Sequence, residues 1–204
     1  MASSFSLDAY RCRNIPDPLW KVLHSGSQSR QDPVTGDVVA ADSSRSITDK
    51  AMFKQAVREH INPYSSQLSC FSSTFSDERH ARNWAAKRNS SLAPVYIYKL
   101  DTTKLPPDVY VFDMERLETD LGIVHPYSTH EYLFLHRIPA CCVTSRYDIE
   151  ELLEREAEAR DNAARQFNPE YHWVDDLYGY YDTDEECEEH NRGDDLIKML
   201  EGDW

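Results

Sequence analysis

The sequence has no long apolar run. About 40% of its 204 residues are hydrophobic, but no stretch approaches the roughly 18 consecutive apolar residues that a membrane-spanning helix needs. The N-terminal residues also lack the basic segment followed by an apolar core that is typical of a secretory signal. We therefore expect an intracellular, cytoplasmic protein with no membrane span.

Cysteines at metal-binding or redox spacing are also missing. The five cysteines, which include the adjacent Cys141 and Cys142, contain no CxxC pair. An odd, unpatterned set predicts reduced thiols rather than a disulfide framework. Cys187 and His190 flank two glutamates, but neighbouring residues do not have the spacing of metal ligands, so no metal site is predicted.

Positive charge is scarce, and its distribution divides the chain. Residues 1–146 contain 17 Lys and Arg against 16 Asp and Glu, whereas residues 147–204 contain 5 against 20. Neither part has a basic stripe, so nucleic-acid binding is not expected. We predict three regions: an N-terminal arm (1–18), a folded domain (19–146) and an acidic helical and aromatic tail (147–204).

The tail begins with a predicted helix over Tyr147 to Gln166, which has a narrow apolar stripe and a densely charged face. This stripe either docks on the domain or binds a partner helix. Beyond it the chain is first aromatic and then almost entirely acidic up to Glu189. Such an acidic run is typical of a solvated segment, and it could also contact a basic partner.

Periodicity in the domain predicts alternating strands and helices. Strand patterns occupy Leu19 to His24, the region around Phe71 to Phe75, Pro94 to Leu100, Val109 to Phe112, and the run that starts at Glu131. Helix patterns start near Thr48, near Ser76 or Asp77, and at Met114, the last ending at Gly122. This order predicts an α+β domain.

Polar residues within these elements have two interpretations each. Lys21 in the first strand is either a solvated edge residue or an anion contact inside a cleft. His60, at the end of the first helix, is interpreted as a packing residue rather than a ligand. Glu131 starts an apolar strand, where a carboxylate is either solvated or paired at the strand end, or is used at a pocket.

Three segments together resemble the ADP-ribosyltransferases of the cholera-toxin-like class. The run Phe71 to Phe75, followed by Arg79 and Ala81, is similar to their second motif, an aromatic strand carrying Ser-Thr-Ser. The segment from Tyr127 to Pro139 resembles their third motif, a loop and catalytic Glu before an apolar strand. Trp20 and Lys21 would occupy the first motif, an aromatic residue followed by Arg.

The same residues resemble an uncharacterised fungal domain family. Its segments Phe-x-Ser-x-Phe-Ser-Asp and His-Glu-Tyr-Leu-Phe-Leu stand here at residues 71–77 and 130–135. The resemblance covers roughly residues 19 to 145. It implies an ADP-ribosyltransferase-like split sheet with flanking helices, to which this chain adds the acidic C-terminal extension.

The resemblance implies NAD as the substrate and a role for each matching residue. Glu131 would be the catalytic carboxylate that stabilises the oxocarbenium-like ribose, and Ser73 would orient it. Lys21 would hold a phosphate of NAD, with Trp20, Thr74 and Phe75 as further cofactor-binding positions. The substrate loop would contain Tyr127 and Thr129, the latter two residues before Glu131.

This chain departs from the toxin pattern at three positions. Lys21 replaces Arg and keeps the charge without the bidentate geometry. Phe75 replaces the last Ser of Ser-Thr-Ser, and Thr129 stands where arginine-modifying members carry Glu or Gln. The sequence therefore leaves open transfer to another protein acceptor, NAD hydrolysis, and a non-catalytic module that binds a protein partner.

Overall fold

The computed structural model describes residues 5–89, 93–124 and 128–166, with side chains up to residue 160. The chain divides into two units between Leu152 and Leu153. The first unit has an α+β fold.

The helices begin where the sequence supplies a capping side chain or a turn. The α-helices of the described residues are α1 (Lys50–Ile61), α2 (Glu78–Arg88), α3 (Met114–Leu121) and α4 (Ile149–Gln166). Short 3-10 helices cover Leu7–Ala9, Thr102–Lys104 and Ala140–Cys142. Asp77 caps α2 as predicted by accepting hydrogen bonds from the Arg79 and His80 amides, and Gly122 ends α3 in the left-handed conformation.

The cap of α1 lies one residue later than predicted. Asp49, not Thr48, is the N-cap, and its carboxylate accepts a hydrogen bond from the Met52 amide at 2.8 Å. The Thr48 hydroxyl instead contacts the Met52 sulfur at 3.3 Å. The carboxylate of an N-cap aspartate accepts a hydrogen bond from the amide of the third residue after it, here Met52. The helix therefore starts at the residue that follows Asp49.

The strands form two antiparallel sheets. In chain order they are β1 (Leu19–Leu23), β2 (Arg30–Gln31), β3 (Val38–Val39), β4 (Phe71–Phe75), β5 (Tyr96–Leu100), β6 (Val111–Asp113), β7 (Glu131–Leu135), β8 (Arg137–Ile138) and β9 (Val143–Asp148). The main sheet has the order β6-β7-β4-β1-β5-β9, and the small sheet has the order β2-β3-β8.

The main sheet is held together at its centre by one residue pair. β1 pairs with β5 at five positions, and β4 pairs with β7 at five. Between β1 and β4, only Trp20 and Phe75 are paired. We call this junction the seam; it divides the sheet into the halves β6-β7-β4 and β1-β5-β9.

Alternation along the strands separates the two faces of the main sheet. Phe71, Leu133 and Leu135 pack with α1 and α3, and Trp20, Val22 and Ile97 pack with Ala81 and Ala85 of α2. The opposite face buries residues such as Leu19, Tyr98 and Phe134 with Val38 and Ile138 of the small sheet. The helices therefore cover one face and the small sheet the other.

Two left-handed residues bracket β7. His130 and His136, which immediately precede and follow the strand, both have φ of 66°. The His130 carbonyl accepts a hydrogen bond from the Ser76 amide, and the His136 amide donates to the Cys70 carbonyl. Both ends of β7 are thereby attached to the residues that flank β4.

Residues of the predicted arm and the first residues of the predicted tail contact the core or the main sheet of the first unit. Phe5, Leu7 and Tyr10 pack against the cluster beneath α1 and α3, so the described part of the arm is attached to the core. Tyr147 and Asp148 pair with Ile97 and Tyr96 in β9, and the predicted helix therefore starts at Ile149. No helix in the described ranges has the length and apolarity to cross a bilayer.

Candidate functional site

Glu131 is the first residue of β7 and lies at the seam. It pairs with Phe75, which is itself the β4 residue that pairs with Trp20 of β1. Because directly paired residues share a face, Glu131 lies on the helix-covered face with Ser73, two residues before Phe75. Glu131 is surrounded by protein but keeps some solvent exposure.

Ser73 links Glu131 to α1 through a chain of hydrogen bonds. The Ser73 hydroxyl interacts with the Glu131 carboxylate, and its oxygen is 2.8 Å from His60 Nε2. On the other side of the imidazole, Nδ1 is 2.6 Å from the Ser69 hydroxyl. We call Ser69, His60, Ser73 and Glu131 the relay.

The charge of Glu131, the last member of the relay, determines which group donates and which accepts each hydrogen bond. An ionised Glu131 only accepts, so Ser73 donates to it and accepts in turn from His60 Nε2–H. His60 Nδ1 then faces the Ser69 hydroxyl at 2.6 Å, whose proton also has the Phe71 carbonyl as an acceptor at 3.3 Å. The two donors next to the carboxylate, Ser73 and His60 Nε2–H, point toward it, an arrangement that favours the negative charge on Glu131.

Opposing effects act on the pKa of Glu131. Burial raises it, whereas the Ser73 hydrogen bond and the positive charge of Lys21 lower it, and the balance is a pKa above the ordinary value. The carboxylate of Glu118 on α3 adds to the rise because it is a like charge. Glu118 Oε1 is buried and has no hydrogen-bond partner among the described residues.

Lys21 is a buried cation beside this carboxylate. It is only 6% exposed, so the prediction of a solvated edge residue is wrong; β1 lies between β4 and β5 inside the sheet. Burial lowers the Lys21 pKa to about 8, although the charge of Glu131 opposes the shift. Within the described ranges Lys21 makes neither a hydrogen bond nor an ion pair within 4.0 Å.

Strand pairing and side-chain alternation determine where Lys21 lies relative to Glu131. Lys21 pairs with Tyr98 and, by alternation, faces away from Trp20 and Val22. Glu131 and Ser73 belong to the other half of the sheet and to its other face. The Lys21 and Glu131 charges interact across the seam, where β1 and β4 are not paired beyond Trp20 and Phe75.

One further cation, Arg88, and the imidazole of His24 lie near Lys21. Burial, and then the positive charges of Arg88 and Lys21, lower the pKa of His24, which favours its neutral form. Both His24 and Arg88 contact the Trp84 ring: the His24 ring centroid is 5.3 Å away and the Arg88 guanidinium carbon 4.8 Å away. Lys21 on β1 and Arg88 at the end of α2 are thus the positive charges in this region, and β1 lies across the seam from the half of the sheet that contains Glu131.

The other predicted cofactor-binding residues have mixed placements. Trp20 is a core residue that packs against Tyr147. Thr74 is fully buried and donates its hydroxyl hydrogen bond to the Tyr132 carbonyl at 3.0 Å, on the face opposite Ser73. Phe75 is half-buried, and its ring centroid is 4.8 Å from that of His80.

The predicted substrate loop is described in part. Thr129 is exposed in the turn before β7. Tyr127 lies outside the described residues.

Sequence reasoning missed the roles of His60 and Glu118. His60 ends the apolar face of α1 and was interpreted as packing; it does contact Phe71, with ring centroids 5.7 Å apart, but both nitrogens also face hydroxyls. A signal was available, because the next strand is rich in serine. Glu118 gave no signal, since it follows the ordinary charged pattern of a surface helix.

The described ranges contain no group of three or more His, Cys, Asp or Glu side chains placed to hold a metal ion. The arrangement is instead that of a carboxylate held by a hydroxyl, with the charge of a buried ammonium acting on it across the seam. Such a site suits a polar ligand with a negatively charged part and a region that develops positive charge.

A family model matches residues 14–152, roughly two thirds of the chain. Its description is a domain of unknown function, DUF7587. The chain belongs to the DUF7587 family. The matched range contains the relay, Lys21, His24 and Arg88, so the candidate site lies within the DUF7587 domain. No curated protein and no solved structure matches the chain.

Proposed function

We propose that this protein consumes NAD, either as an ADP-ribosyltransferase or as an NAD glycohydrolase, with Glu131 as the catalytic carboxylate. The observation that carries the proposal is the position of Glu131, which is hydrogen-bonded by Ser73 and interacts with the charge of Lys21 across the seam. These residues come from three strands, and the motif resemblance assigns complementary roles to the same three.

The chemistry requires a carboxylate that stays ionised beside a sugar. Cleavage of the bond between nicotinamide and ribose leaves positive charge on the ribose, which a fixed carboxylate stabilises by several kcal/mol. Ser73 orients Glu131, and His60 and Ser69 orient Ser73. The departing nicotinamide leaves the ribose carbon open to water or to a nucleophile on an acceptor.

The cations on the other side of the seam suit the phosphates of NAD. Lys21 is buried and has no hydrogen bond or ion pair with the residues that the structure describes, so an anionic ligand would compensate a charge whose burial is costly. Arg88 extends this positive region away from Glu131. A dinucleotide bound with its ribose at Glu131 and its pyrophosphate toward Lys21 would place the positive charge that develops on the ribose near the carboxylate, and the phosphates near the ammonium.

The split-sheet arrangement that the resemblance implies is part of the same proposal. It is supported by the single Trp20 and Phe75 pair between β1 and β4. Strands that diverge from one bridge provide room for a ligand between the two halves of a sheet.

Replacing Glu131 by Gln removes the charge and preserves the shape, so it tests the proposal directly. We expect the native chain to bind NAD in calorimetry and to release nicotinamide, and Glu131→Gln to bind NAD while losing at least 100-fold in the rate of release. Glu115→Gln is the matched control, because Glu115 is an exposed carboxylate on α3.

Two outcomes would contradict the proposal in different ways. Nicotinamide release that survives in Glu131→Gln would remove Glu131 from the chemistry. No binding at millimolar NAD would leave the non-catalytic protein-interaction module as the function to test next.

A further inference from the structure

Two thiols lie side by side outside the candidate site. Cys141 and Cys142 belong to the 3-10 turn Ala140–Cys142, which connects β8 to β9. Their sulfur atoms are 3.9 Å apart, and both are free thiols in this structure.

The two thiols differ in access to solvent. Cys141 is exposed, whereas Cys142 is 1% exposed. The Cys141 thiol donates to the Lys104 carbonyl at 3.7 Å, and the Lys104 ammonium interacts electrostatically with both sulfurs. An exposed thiol beside a cation is the environment in which thiolates react with disulfides.

The distance allows the two sulfurs to bond after side-chain rotation. A disulfide needs a sulfur separation of about 2.05 Å, so the sulfurs must approach by roughly 2 Å in total. Adjacent Cα atoms are about 3.8 Å apart, closer than the usual range of about 4.4 to 6.8 Å for disulfides. The bond between neighbours is therefore strained, and strained disulfides are readily reduced.

We propose that Cys141 and Cys142 form a redox-active vicinal dithiol that low-molecular-weight disulfides, such as oxidised glutathione, oxidise reversibly. The Cys141 thiolate attacks one sulfur of the oxidant, forms a mixed disulfide and expels the first glutathione thiolate. The Cys142 sulfur then attacks Cys141 Sγ and expels the second. The two cysteines lose two protons and two electrons, and one glutathione disulfide becomes two glutathione molecules.

The order of attack follows from burial. Burial, with further contributions from the Cys141 thiol and the Asp101 carboxylate, raises the pKa of Cys142 to about 12, while the charge of Lys104 opposes the rise. Cys142 is therefore the slower nucleophile. Once Cys141 is in a mixed disulfide its own negative charge is absent, which favours ionisation of Cys142.

Mass spectrometry of one tryptic peptide tests the proposal. Cleavage after Arg137 and Arg146 gives a peptide that contains both cysteines and no other. After incubation of the full chain with oxidised glutathione at pH 8, we expect this peptide to be lighter by two hydrogens and to regain them in dithiothreitol. The same change is expected in Cys12→Ser.

Single variants separate the roles of the two thiols. Cys142→Ser should accumulate a stable glutathione adduct on Cys141, and Cys141→Ser should be modified at Cys142 at least 10-fold more slowly than the native chain. A native peptide that stays unmodified, keeps a glutathione adduct, or is cross-linked to another cysteine peptide would overturn the proposal.

Discussion

Lys21 links the stability of the protein to alkaline pH. Its pKa falls from 10.5 to about 8 on folding, so between these values the unfolded chain binds a proton that the folded chain lacks. The contribution of Lys21 to the free energy of unfolding should therefore rise as the pH increases from 8 to 10.5, whereas the raised thiol pKa values of Cys70 and Cys142 act in the opposite direction. The shift corresponds to about 3 kcal/mol as an order of magnitude.

Lys21→Met should remove this contribution and give a lower slope of unfolding free energy against pH than the native chain, because methionine keeps most of the aliphatic stem without a titrating group. Urea unfolding followed by circular dichroism at several pH values between 7 and 10.5 measures the slope. Lys87→Met, which changes an exposed lysine, should keep the native slope. An equal slope in Lys21→Met and in the native chain would contradict the assigned pKa.

His60 and Ser73 should be energetically coupled. Each single change to alanine leaves a polar partner in the relay without its hydrogen bond, at a cost of about 1 to 2 kcal/mol. The double variant removes both partners, so its cost should fall short of the sum by at least about 0.5 kcal/mol. Chemical unfolding of the native chain, both single variants and the double variant measures this coupling.

Activity gives a second measure of the relay. If His60 positions Ser73, His60→Ala should lower kcat for nicotinamide release while leaving KM for NAD within about twofold. Arg58→Ala, an exposed residue of α1 two positions before His60, serves as the control. Strictly additive stabilities and unchanged kcat would reduce His60 to a packing residue.

The α1 helix brings His60 to the site, and its stability depends on the Asp49 cap. Asp49→Ala should lower the free energy of unfolding by about 1 kcal/mol, because the Met52 amide loses its acceptor. Asp49→Asn should retain most of the stability, since an amide oxygen also caps. Thermal unfolding distinguishes the two, and equal losses would show that charge rather than the hydrogen bond matters.

The sequence was sufficient for elements with strong local signals. Alternation predicted β5, and Asp77 and Gly122 predicted helix ends, because caps and strand faces are set by neighbouring residues. β2 is only two residues long, and Arg30 and Gln31 resemble any polar loop, so pairing with β3 determines it. β9 was not predicted. Thr144 and Arg146 alternate with partly buried residues, but this strand pattern runs directly into the helical pattern that starts at Ile149.

The candidate site was predictable only as separate residues. Glu131 and Ser73 could be selected because each interrupts an apolar or aromatic pattern. Their relation to Lys21 depends on strand order, which brings β1 next to β4 although about 50 residues separate them. Burial of Lys21 could not be foreseen either, because a single lysine in a strand is usually at an edge.

At the scale of the whole molecule, NAD should affect both halves of the main sheet at once. A ligand that contacts Glu131 on one side of the seam and Lys21 on the other restrains β4 and β1 together. Hydrogen exchange should therefore slow in peptides covering Leu19–Leu23 and Phe71–Phe75 when NAD is added.

The small sheet provides the internal control for that experiment. Peptides covering Val38–Val39 should exchange at the same rate with and without NAD, since the small sheet packs on the other face. Protection confined to one half of the main sheet would indicate a ligand that does not bridge the seam.

The two left-handed histidines around β7 have a consequence for how this domain can vary between relatives. Each fixes the backbone at one end of a five-residue strand, and each is bonded to the chain beside β4. Gaining or losing one residue between them would exchange the two sides of the strand and turn Glu131 away from Ser73. Side chains in this segment can differ between relatives, but its length cannot. The number of residues between the two histidines should therefore stay constant in every relative that keeps the site.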